Sequence, residues 1–79
     1  MSRKKKPNFT YSFVEAVDAM QFYKDMRRKH PTLIMDVDDL VVKFSGVGSL
    51  GFDTILRTYA DEVARDTGGK MVEMKYSYN

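Results

Sequence analysis

Gly46, Gly48 and Gly51 stand in the spacing G-x-G-x-x-G, between the apolar run LVVKF and the helix-like run FDTILRTYADEVARD. After a strand and before a helix, such a spacing can cradle a phosphate, because loop N–H groups and the helix dipole converge on an anion. Glu73 lies 22 residues beyond Gly51, near where a dinucleotide site carries its ribose-binding acid. A chain of 79 residues has no room for the further parallel strands of a dinucleotide fold. No Lys-Ser or Lys-Thr follows the glycines, so the Walker pattern is absent. The spacing therefore reads mainly as a strand-to-helix turn that needs small residues, with weak anion affinity at Gly46, Gly48 and Gly51 as its chemical remainder.

The other reactive residue types assemble less. Asp36, Asp38 and Asp39 form the densest acidic cluster, but lack calcium-loop spacing and its closing Glu, so they read as a solvated turn. His30 is the single histidine and there is no cysteine, so no metal-ligand set is expected. It ends a helical run, and reads as a surface imidazole favoured by the helix dipole. Ser2, Ser12, Ser45, Ser49 and Ser77 would have to share that one imidazole as a base. No catalytic residue, cofactor or enzyme activity is expected.

Basic residues are unevenly spread. Arg3, Lys4, Lys5 and Lys6 are consecutive, which leaves nine basic against eleven acidic residues in 7–79. The expected organisation is a flexible basic arm over 1–7 and a single, mildly acidic domain over 8–79. With Arg27, Arg28 and Lys29, the arm is the candidate nucleic-acid contact, and it would bind in a salt-sensitive way with little sequence preference. No apolar run approaches the ~20 residues of a membrane span. MSRKKKPNF has no apolar segment behind its charges, so it does not read as a secretory signal, and a cytoplasmic address is expected.

These side chains must be held by a handful of elements. NFTY (8–11) alternates as a short strand. Ser12 and Glu15 have capping-box spacing for a helix ending near His30 and Pro31. Its apolar side takes Ala16, Ala19, Met20, Tyr23 and Met26, with Phe13 and Val17 nearby. TLIMDVDDLVVKF (32–44) reads as a hairpin turning at Asp38-Asp39, with Val37 facing Leu40, Met35 facing Val42 and Leu33 facing Phe44. A second helix spans about 50–66 with Phe52, Ile55, Leu56, Tyr59, Ala60 and Val63 as its stripe, and Gly68-Gly69 stops it. KMVEMKYSY (70–78) is a last strand with Val72, Met74, Tyr76 and Tyr78 facing inward.

The order βαββαβ predicts a ferredoxin-like α+β sandwich, with two helices packed on one face of a four-stranded antiparallel sheet. VVKFSGVGSLGFDTIL…GGKMVEM also resembles the STAS domains in its sequence of strand, turn, helix, Gly-Gly and strand, across residues 41–74. It lacks their Asp-Ser-Ser-Gly signature, and two strands follow the first helix where that family has one, so no function is carried over.

Alternation leaves Ile34, Asp36, Val41, Lys43, Met71, Glu73 and Lys75 on the face away from the helices. No aromatic ring is among them, which disfavours base stacking of the kind sheet-face RNA binders use. Ile34, Val41, Lys43, Met71 and Glu73 are the candidate protein-interface residues, for a protein partner or a homodimer formed by strand addition. The expected function is a small non-enzymatic interaction or regulatory module. The short, cysteine-free, arm-bearing chain would suit a phage or mobile-element accessory protein.

Overall fold

The computed structural model describes residues 5–46 and 50–78. Arg3, Lys4 and Gly48 lie outside the described residues. The elements are β1 (Lys5–Ser12), α1 (Ala16–Lys29), β2 (Met35–Asp38), β3 (Val41–Ser45), α2 (Leu50–Asp66) and β4 (Lys70–Tyr78). One four-stranded sheet has the order β2-β3-β1-β4, and every neighbouring pair is antiparallel. Each helix crosses over one intervening strand: β3 lies between β1 and β2, and β1 between β3 and β4. The fold is α+β, as the element order predicts.

Aromatic side chains on alternate residues of β1 and just past its end build the core. Phe9, Tyr11 and Phe13 point to the helix side and are buried with Val42 and Phe44 of β3. From α1 come Ala19, Phe22 and Met26, and from α2 Leu56, Ala60 and Ala64. The Tyr11 and Phe44 rings stack with centroids 5.6 Å apart, and Phe22 lies 5.1 Å from both Tyr11 and Phe13.

Several local expectations are corrected. β1 starts at Lys5, so Lys5, Lys6 and Pro7 belong to the sheet rather than to an arm. Ser12 ends β1 instead of capping α1; the cap position is Glu15, without a side-chain cap hydrogen bond. The buried face of α1 is centred on Ala19, Phe22 and Met26, leaving Val17 and Met20 exposed. Phe52 and Ile55 of α2 also face solvent in part, because Leu56, Ala60 and Ala64 are the residues against the sheet.

The hairpin turns one residue later than expected, at Asp39 and Leu40, with Asp39 at φ 54°. The ladder pairs Asp38 with Val41, Val37 with Val42 and Met35 with Phe44. This register is shifted by two residues from the predicted one, and a two-residue shift returns every side chain to the same face.

A β-bulge between Thr10 and Tyr11 inserts Val72 into β4. Past it, Met71 pairs with Tyr11 on the helix side and packs against the core. Met71 is therefore not on the open face where strict alternation puts it. Val72, Met74 and Tyr76 are considerably exposed, since β4 is an edge strand.

α2 ends in a paired-hydrogen-bond stop: Gly69 N–H donates to Ala64 O and Gly68 N–H to Arg65 O, with Gly68 at φ 76°.

Candidate functional site

The sheet face away from the helices is the candidate site, and it can be followed rung by rung. One rung runs Asp36, Lys43, Thr10, Glu73 across β2, β3, β1 and β4. The next runs Ser45, Asn8, Lys75, with Ser45 N–H donating to the Ile34 carbonyl at 3.2 Å. A third runs Asp38, Val41, Ser12, Lys70. The face carries the acids Asp36, Asp38 and Glu73 and the lysines Lys6, Lys43, Lys70 and Lys75, so it is close to neutral.

Within it, Ser45 Oγ donates to Asn8 Oδ1 at 2.7 Å, and Lys75 Nζ lies 3.5 Å from Glu73 Oε2. A depression of about 300 Å³ lies among these residues, bordered by Ile34, Asp36, Lys43, Ser45, Glu73 and Lys75. Ile34 is 76% exposed at its rim. Four of the predicted interface residues, Ile34, Val41, Lys43 and Glu73, share this face; Met71 does not. No aromatic ring lies on it among the described residues, because Phe9, Tyr11 and Phe44 all point the other way.

Of the glycine turn, Gly46 and Gly51 are among the described residues, and residues 47–49 are not. Gly46 N–H donates to Pro7 O at 2.7 Å, and a side chain at Gly46 would run into Pro7 and the Asp53 carboxylate. Close approach, not a left-handed backbone, is what requires glycine there. The carboxylate beside it repels an anion. At Gly51 the space is open.

The basic cluster at the end of α1 is engaged locally. Arg27 donates to the Tyr23 hydroxyl and to the Pro31 carbonyl, both at 3.1 Å, and Arg28 pairs with Asp25 at 3.0 Å. Lys29 Nζ lies 5.9 Å from the centre of the Tyr59 ring. Lys6 sits in β1 opposite Ser77. The arrangement gathers no continuous basic surface from the described residues.

His30 is not the surface imidazole that its position suggests. Its ring meets Phe52 and Tyr59 edge-on, with centroids 5.6 and 5.9 Å away, and Nε2 is buried without a hydrogen-bond partner. Burial, then the neighbouring Lys29 charge, hold its pKa below the ordinary 6.5. Among the described residues, no group of three or more His, Cys, Asp or Glu could hold a metal ion. No described helix is long and apolar enough to cross a membrane.

Comparison with protein-family models, with curated proteins and with solved structures gives no match for this chain.

Proposed function

We propose that the chain is a non-enzymatic protein-interaction module that acts in regulation by surface complementarity, through the open face of its sheet. The supporting observation is the composition of that face: charges of both signs in register, a shallow depression and an exposed Ile34 at its rim. Protein interfaces combine an apolar anchor with a polar surround in this way. Balanced charge offers little to a polyanion, whose affinity comes from phosphate neutralisation. A ring-free face offers nothing for bases to stack on.

The test is capture from cell extract by the wild type and by Ile34→Asp, compared side by side. A partner held by the wild type and lost by the variant supports the reading. Equal capture by both, or none by either, overturns it. Binding to a single-stranded oligonucleotide that is abolished by replacing Arg3, Lys4, Lys5 and Lys6 with alanine would favour the basic N-terminal residues instead.

A further inference from the structure

The two edges of the sheet are unlike. β2 is four residues long and carries Asp36 and Asp38, the kind of short, charged edge that resists strand addition. β4 is nine residues long, and among the described residues no strand lies on its outer side. Val72 and Tyr76, 52% and 53% exposed, lie along it. Such an edge is a template for another strand.

Its residue order selects which strand. Consider a second copy of β4 placed antiparallel about a two-fold axis normal to the sheet, so that both copies keep their helices on one side. Centred on Met74, this register sets Glu73 opposite Lys75 of the second copy, and Lys75 opposite its Glu73. This register needs only residues 73–75 of each copy, which lie beyond the bulge at Val72. Centring one residue earlier puts Glu73 against Glu73; one residue later puts Lys75 against Lys75. Both neighbouring registers are penalised by like charges directly opposite.

The side chains of Lys75 and Glu73 are 72% and 50% exposed and lie 3.5 Å from each other, an exposed contact that exchanges for the intermolecular one at little expense. We infer that two copies of this chain pair through β4 in the Met74-centred register, joining their sheets edge to edge as an isologous dimer. The pairing uses the strand edge and does not rest on what the open face binds.

Sedimentation equilibrium of the full chain tests it, from about 1 micromolar to about 1 millimolar, where interfaces this small dissociate. The wild type should dimerise. Glu73→Lys and Lys75→Glu should each weaken association by roughly tenfold or more, since every charge contact occurs twice. Mixing the two variants should restore association, because in that pair all four facing charges are opposite. The double variant Glu73→Lys/Lys75→Glu should dimerise like the wild type. Recovery in the mixture or in the double variant also proves that each substitution leaves the fold intact. A wild type that stays monomeric throughout the range overturns the proposal. So do single variants that associate as tightly as the wild type, or a mixture no tighter than its components.

Discussion

The Tyr11 phenol donates to Asp61 Oδ1 at 2.6 Å, and the two partners are unequally exposed. Tyr11 is fully buried, whereas the Asp61 side chain is about half in water and also lies 3.8 Å from Arg57. Removing the acceptor strands a buried hydroxyl; removing the donor leaves a carboxylate that water can serve. Asp61→Ala is therefore expected to lower stability by about 1–3 kcal/mol and Tyr11→Phe by about 1 kcal/mol or less, an order that urea denaturation reads directly. Burial first, then the Asp61 hydrogen bond and charge, raise the phenol well above its ordinary 10.0. Stability from this group is thus present below pH 10 and lost as pH rises beyond it.

His30 works in the opposite sense. Its folded pKa is lowered, so the unfolded chain binds the proton more readily, and stability is present above about pH 6.5 and lost as pH falls below it. The urea midpoint should fall between pH 7.5 and 5.5 by more in the wild type than in His30→Leu; equal falls would refute the assignment. Neither contact was legible beforehand. Tyr11 and Asp61 are 50 residues apart, and His30 meets Phe52 and Tyr59 only once the helices pack.

At the scale of elements, the stop after α2 carries more than a turn. A side chain on Gly69 would enter the Phe13 ring, which itself packs on Phe22. Gly69→Ala should cost about 1–3 kcal/mol by overpacking. Adding Phe13→Leu should recover part of that loss, a non-additivity that a double-mutant cycle measures. Strand faces were readable wherever the period of two ran unbroken: Phe44 inward, Lys43 and Asp36 outward, even though the turn came one residue late. They were unreadable past the bulge, because one inserted residue reverses parity and sends Met71 to the core. The face of α1 was misread because its apolar residues encircle the helix, and only docking against Tyr11 and Phe44 selects Phe22 over Met20.

For the whole molecule, the aromatic cluster offsets small size. Five stacked or tilted ring contacts among Phe9, Tyr11, Phe13, Phe22 and Phe44 concentrate burial in few residues. The principal extents of 43 × 19 × 18 Å describe an elongated body. Composition and element order foretold the layers, and alternation foretold a ring-free open face. The edge-to-edge charge register was present in KMVEMKYSY as well, but it acquires meaning only when β4 is known to be outermost.

β1 sits between β3 and β4, and its ladder with β4 matches Lys5 to Tyr78. A ribosome releases the first of these strands long before the last. Until β4 emerges, the nascent β1 has a bare flank beside Phe9 and Tyr11, at the stage of synthesis when chaperones compete for greasy segments.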